Sequence, residues 1–175
     1  MRVLVGYASE HGSTREVAQR IADRLSERGH SVEVWTLADA PSADGYEAVV
    51  LGSAVHGGAW LAEASDYLHA NTAPLGQRPV WAFSVGLARA VGGWFHKHAR
   101  DPQEVTELRE SARLREHRLL AGALSPEHLP MFGRAVYRIM GGRYGDFRDW
   151  TEIDDWAGAI AADLSSSRPP GAAAV

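Results

Sequence analysis

The chain has 175 residues, 45% of them hydrophobic, with a formal net charge of −4 and no cysteine. That length suits one domain with a substantial core, the mild charge argues against a general nucleic-acid binder, and the missing thiols exclude disulfides, thiolate catalysis and thiolate-held metal or iron–sulfur centres. No apolar run is long enough to span a membrane and the chain enters a strand at once rather than a signal peptide, so the expectation is a soluble, cytoplasmic protein.

Val3-Leu4-Val5 reads as a short strand covered on both faces. A turn with Ser9, Gly12, Ser13 and Thr14 follows, and a helix opens with Ser13 three residues ahead of Glu16, the spacing of a capping box. A helix N-terminus has unpaired N–H groups and the positive end of the macrodipole, so a hydroxyl-lined loop there suits a phosphate. An ordinary turn in which Ser and Thr serve only as caps is the other reading. No Gly-Lys-Ser/Thr follows as in a Walker loop, and G-x-G-x-x-G is missing. A monophosphate ester therefore suits the loop better than a magnesium triphosphate.

Val17, Ala18, Ile21, Ala22 and Leu25 share one helix face, which Gly29 ends. Ser31–Thr36 alternates as a half-covered strand near a sheet edge. Glu47–Gly52 is a second fully buried strand, running into the loop 53–59, and Trp60, Ala64, Tyr67 and Leu68 mark the next helix face. Pro79–Val85 is a fourth strand, ending in a Gly-rich loop over 86–99. Asp101-Pro102-Gln103-Glu104 predicts a helix start with a cap, a first-turn Pro and a third-position Glu, and Val105, Leu108 and Ala112 form its stripe. Leu119–Leu124 reads as a fifth strand.

An insertion over about 125–146 then interrupts the alternation. Within it, residues 128–140 carry Met131, Phe132, Val136 and Ile139 on one face, with Arg134 and Arg138 beside it. That stripe either covers the sheet edge or, with Arg143, docks a membrane surface or an electron partner through 128–145. Thr151–Asp154 starts the last helix, with Ile153, Trp156, Ala157, Ile160, Ala161 and Leu164 inward. Residues 1–164 make one domain, and 165–175, rich in Ser, Pro and Ala, predict a disordered tail.

Five strands alternating with helices predict a three-layer α/β sandwich with a parallel sheet of order 2-1-3-4-5 and a ligand crevice at the carboxyl ends of strands 1 and 3. Phosphorelay receiver domains share that order, but they need carboxylates after strand 1, an Asp ending strand 3 and a Lys after strand 5. Here strand 1 ends in Tyr7-Ala8-Ser9, strand 3 in Gly52-Ser53 and strand 5 in Ala123-Leu124-Ser125.

Tyr7, Ser9, Gly12, Thr14 and Ala18 stand at the spacing of the flavodoxin signature, with Gly6 departing from its usual apolar residue. The chain thus resembles the flavodoxin-like superfamily. Leu119–Leu124, an inserted amphipathic segment, Gly141-Gly142 and Asp149-Trp150-Thr151, together with Gly52-Ser53-Ala54-Val55 and Ser84-Val85, are similar to the menaquinone-dependent protoporphyrinogen oxidase family. The resemblance implies a flavodoxin-like sandwich that binds FMN. Ser9, Glu10, His11, Gly12, Ser13 and Thr14 would cradle the phosphate, and Ala54, Val55, His56, Gly57, Gly58, Gly86, Leu87, Ala88 and Arg89 would flank the flavin. It also implies an oxidoreductase passing electrons from a reduced substrate, a porphyrinogen, to a quinone-type acceptor. The alternative is a flavodoxin-like carrier that meets a redox partner protein and turns over no substrate of its own. A weaker third reading is a flavin-free descendant that takes another phosphorylated ligand.

Glycine at 57 and 58 would make a peptide flip beside flavin N5 cheap, a plain turn being the alternative. Trp60 and Trp94 are candidates to stack on the ring or to sit in the core. His56 stands where it would touch the ring edge or a substrate carboxylate, or else face solvent. His96-x-His98 has no convincing third ligand, so no metal site is expected.

Overall fold

β-Branched and leucyl residues can be buried on alternate sides of a strand only if both faces of the sheet are covered. The first strand shows this directly: Val3, Leu4 and Val5 of β1 (Arg2–Ala8) are all fully buried. The computed structural model describes residues 1–86, 101–126 and 144–166. Its strands continue with β2 (Ser31–Thr36), β3 (Ala48–His56), a two-residue β4 (Ala59–Trp60), β5 (Pro79–Gly86) and β6 (Arg113–Ala121). The parallel strands lie in the order β2-β1-β3-β5-β6, and β4 folds back antiparallel on β3. Without β4 this is the 2-1-3-4-5 order expected, and β2 is the edge strand that its alternation predicts.

Helices α1 (Ser13–Glu27) and α5 (Trp150–Ser166) cover one face, over Val3, Val5, Val50, Trp81, Phe83, Val85 and Leu120. Helices α2 (Ala62–Ala70), α3 (Thr72–Gly76) and α4 (Gln103–Ser111) cover the other, over Leu4, Val49, Leu51, Val80 and Ala82. Gly52 is required in β3 because a Cβ there would lie 2.0 Å from Phe83 Cζ, and the Phe83 ring meets Trp156 edge-on at 6.1 Å. Gly6, the departure from the signature, is explained in the same way: the Leu37 side chain packs where a Cβ would stand, 2.5 Å from its Cδ2.

Several sequence expectations are corrected. The fifth strand is Arg113–Ala121 rather than Leu119–Leu124. Ala123–Leu124 leaves the sheet and pairs antiparallel with Gly145–Asp146 as a separate ribbon, β7 with β8. The apolar run marked only the buried end of a strand whose earlier side chains, Leu114 apart, are charged or polar. Register also breaks within it: Val80 pairs with Leu114 and Trp81 with Glu116, so Arg115 is an extra, bulged residue.

The helix after residue 101 begins at Gln103 with Pro102 as its cap residue, and no side chain caps it. Asp101 and Glu104, which local spacing assigned to capping, are drawn instead into long-range contacts described below. Ser13 likewise is the first helical residue of α1 and not its cap. The last helix starts one residue early, at Trp150, because the Asp149 carboxylate accepts the N–H groups of Thr151 (3.0 Å) and Glu152 (3.1 Å). It also continues to Ser166, two residues into the segment read as tail. The amphipathic helix expected at 128–140, the residues Leu87, Ala88, Arg89, Trp94, His96 and His98, and the tail beyond 166 lie outside the described residues.

Candidate functional site

Parallel strands joined by helices on opposite faces leave a crevice where the direction of connection reverses, outside their carboxyl ends. Here β1 is flanked by β2 and β3, and the register sets Ala8 beside Ser53 and Ser53 beside Ser84. The loop 9–14, the segment 54–58 and Gly86 therefore emerge next to one another.

Loop 9–14 is held by a hydrogen bond from the Gly12 N–H to Ser9 Oγ (3.0 Å), with Gly12 left-handed at φ 92°. Nothing stands within 4 Å of a Cβ placed on Gly12, so backbone conformation and not space requires glycine. No side chain caps α1, which leaves the positive end of the helix open to a ligand. Thr14 is fully buried, and its hydroxyl has no hydrogen-bond partner among the described residues. A buried hydroxyl without a partner costs about 1–3 kcal/mol, so its presence points to a ligand that supplies one. The loop contains no Lys or Arg, so its donors toward an anion are hydroxyls, N–H groups and the His11 imidazole. Glu16 does not close a capping box. Its carboxylate takes Arg148 Nη1 at 2.8 Å, while Arg148 also grips Asp146 and stacks over Trp150.

Residues 56–59 form a tight hairpin. His56 pairs with Ala59 and Val55 with Trp60, leaving Gly57 (φ 62°) and Gly58 (φ 89°) as a two-residue turn. Both central positions need positive φ in the turn type that matches strand twist, which is why two glycines stand there. Exposed Glu10 joins the hairpin to the phosphate-like loop: its carboxylate lies 3.4 Å from His56 Nδ1 and 3.8 Å from His11 Nε2. Ala54 and Val55 are half-buried beneath the hairpin, and Gly86 closes the far side, its carbonyl accepting the Gly122 N–H at 3.3 Å. Gly122 is closely packed: a Cβ would stand 3.0 Å from Val85 Cγ1 and 3.4 Å from Ser13 Oγ, so those side chains would have to give way by a few tenths of an ångström.

Trp60 is not a stacking residue. It is buried in the core beneath α2 and α4, and its indole N–H donates to Ser84 Oγ at 2.8 Å. Its backbone N–H donates to the buried Glu104 carboxylate (3.2 Å), which also accepts the Ser65 hydroxyl (3.0 Å). Ser53 Oγ accepts the Leu61 N–H at 3.0 Å. Ser84 meets His117 Nε2 at 2.9 Å, and His117 Nδ1 faces Asp101 at 3.4 Å. Burial holds His117 below the usual histidine range. A buried polar network thus anchors the hairpin from below.

Glu104, His117 and Arg148 are the site-shaping residues that sequence reasoning missed. The signals were a Glu at an inward helix position and a His between charged residues of a strand. Among the described residues, no group of His, Asp and Glu side chains is arranged to hold a metal.

The fold and this crevice define the class: a doubly wound α/β protein with an anion-ready first loop and two further loops converging on it. A flavodoxin domain family model matches residues 4–147, and the chain belongs to that family. Membership implies a flavin cofactor. Protoporphyrinogen IX dehydrogenase [quinone] of Escherichia coli strain K12 is 24% identical over 177 residues, covering 92% of this chain and 95% of that protein. A flavodoxin from the domain Archaea superposes with a TM-score of 0.63 at 18% identity, covering 94% of this chain and 99% of that one. The Streptococcus pneumoniae TIGR4 flavodoxin gives 0.61 at 15% identity, covering 96% of this chain and all of that one.

Proposed function

We propose that the chain binds FMN noncovalently and works as an oxidoreductase that passes electrons from a reduced substrate to a quinone-type acceptor. The observation that carries the cofactor reading is Thr14: a fully buried hydroxyl without a partner among the described residues, at the second position of an uncapped helix. A phosphate ester at loop 9–14 would accept from that hydroxyl, from Ser9 and Ser13, and from the N–H groups of the first turn. A dianion there needs no lysine, because hydroxyls and the helix terminus supply the donors. His11, exposed beside Glu10, would stand at the rim.

The isoalloxazine ring would lie between Ala54–Gly58 on one side and the segment from Gly86 through Arg89 on the other. Bound there, FMN supplies the redox chemistry. The chain's own residues bind and orient it. Gly57 and Gly58 let the hairpin backbone present either an N–H or a carbonyl toward the ring edge, since neither carries a Cβ to resist the change. Glu10 and His56 are in contact at the crevice mouth, joining the first loop to the hairpin. Val55 and the buried Trp60–Ser84 layer beneath them keep water out of the floor.

The quinone acceptor and a porphyrinogen donor are supported by the near-complete coverage of the Escherichia coli relative in both directions. Among the described residues no helix is long and apolar enough to cross a membrane. An absorbance titration with FMN tests the cofactor: a flavin band that shifts to saturation is expected, and no binding would sink the reading. Anaerobic turnover of protoporphyrinogen with a menaquinone analogue tests the reaction. FMN binding without turnover would instead make the protein an electron carrier.

A further inference from the structure

The hydrogen-bond chain beneath the hairpin has a direction that donor and acceptor chemistry alone assigns. The Trp60 indole N–H can only donate, so Ser84 Oγ accepts it at 2.8 Å. A serine oxygen can accept twice, so the next link is set from the far end: the Asp101 carboxylate, which Arg109 holds at 2.6 Å, can only accept, and it faces Nδ1. In a neutral ring that makes Nδ1 the protonated nitrogen and leaves Nε2 to accept the Ser84 hydrogen at 2.9 Å. The His117 side chain is only 5% exposed.

The members of this chain come from different elements beneath and beside the hairpin. Trp60 closes the Gly57–Gly58 hairpin through its pairing with Val55. Ser84 lies two residues before Gly86, where the chain leaves β5, and Asp101 is where the described chain resumes before α4. One imidazole therefore ties the hairpin to β5 near its carboxyl end and to Asp101 ahead of α4. We propose that His117 is a positioning residue for the flavin site, whose neutral form fastens these three parts together and whose protonation loosens the grip on the cofactor. This rests on the FMN reading given above.

The physical reason is a conflict over one oxygen. A protonated ring must donate from Nε2 to Ser84 Oγ. That oxygen already accepts from Trp60, so the serine's own hydrogen would lose its acceptor in a dry site, or the Trp60 contact would be given up. Around the ring, Asp101 favours the charged form, while Arg109 on α4 and burial oppose it. Glu104, also on α4, is occupied by Trp60 and Ser65. On β6 itself, Glu116 and Arg118 pair with each other on the opposite face, against Trp156.

The test uses the full chain. In the isolated protein, NMR should show the His117 ring titrating below about pH 6.5, with the Trp60 indole N–H resonance moving at the same midpoint. FMN dissociation constants are then measured by flavin fluorescence for the wild type and His117→Gln, whose amide donates and accepts without titrating. Between about pH 7.5 and about one unit below the His117 midpoint seen by NMR, the ratio of wild-type to variant Kd should rise about fivefold around that same midpoint, which separates His117 from the other histidines. A flat ratio with FMN bound, or a Trp60 resonance that ignores the His117 titration, overturns the proposal and leaves the cofactor reading intact. Absence of FMN binding by the wild type at either pH overturns the cofactor reading and this coupling with it.

Discussion

The two faces of the sheet are built on different principles. Away from Thr14 at the crevice end of α1, the interior of the α1/α5 face is apolar, with Trp156, Phe83, Ile21, Leu25, Ile160 and Leu164 fully buried. Its ionic groups stay at the rim, where Arg20 and Arg24 both grip Asp154, and their guanidinium groups hold that carboxyl well below the usual carboxylate range. On the α2/α4 face the core is threaded by polar groups: Asn71, Ser53, Ser84 and Glu104 are buried, and His117 is nearly so. Apolar packing is tolerant of direction, whereas a buried hydrogen bond fixes which atoms meet. The first face therefore holds the domain together, and the second shapes the crevice.

Substitutions that separate stability from ligand binding would break or sharpen that contrast. The largest expected effect is Trp156→Ala, which empties the centre of the α1/α5 face and should cost about 4 kcal/mol in urea denaturation. FMN affinity of the folded fraction should hardly change. Glu104→Ala comes next. It strands the Trp60 N–H and the Ser65 hydroxyl, should cost about 2 kcal/mol, and should weaken FMN binding because the hairpin loses its anchor. If both variants moved FMN affinity equally, the division of labour between the faces would be wrong.

Thr14→Val is smaller and has opposite signs in its two readouts. Removing a buried hydroxyl without a partner should stabilise the ligand-free protein by about 1 kcal/mol, measured as a higher denaturation midpoint. The same change should weaken FMN about tenfold, the loss of one hydrogen bond to a charged oxygen. A ligand-free protein that is destabilised instead would mean the hydroxyl is satisfied without a phosphate.

The smallest effect is a pH dependence carried by both faces. Burial lowers the folded-state pKa of His117 on one side and of His30 on the other. A lowered histidine is neutral in both states at high pH and contributes no slope there. As pH falls through the unfolded value near about 6.5, the unfolded chain takes up protons that the folded chain refuses, so stability declines. Denaturation midpoints measured across that range should fall with acid, and His117→Gln should remove only part of the slope. Carboxylates held low by arginines, Asp154 and Asp146 among them, withdraw their contribution only at more acid pH, as the folded groups protonate.

Much of this molecule is local enough to read from the chain. Strands covered on both faces must be runs such as Ala48–Leu51, and helices packed on one side must repeat as Val17, Ala18, Ile21 and Ala22 do. The crowding of Ser9, Gly12 and Thr14 ahead of a helix is equally local, so the candidate phosphate loop was legible, along with the parallel order that follows from alternating strands and helices. What stayed hidden depends on partners far along the chain. Glu104 has the spacing of a capping residue, and only α4 packed against β4 turns it to Trp60. The bulge at Arg115 decides the rest. Leu114 and Leu120 have the same parity in sequence, yet they face opposite layers, because the extra residue resets the alternation between them. That one residue sets His117 beside Ser84, beneath the hairpin, and no pattern within residues 113–121 could have announced it.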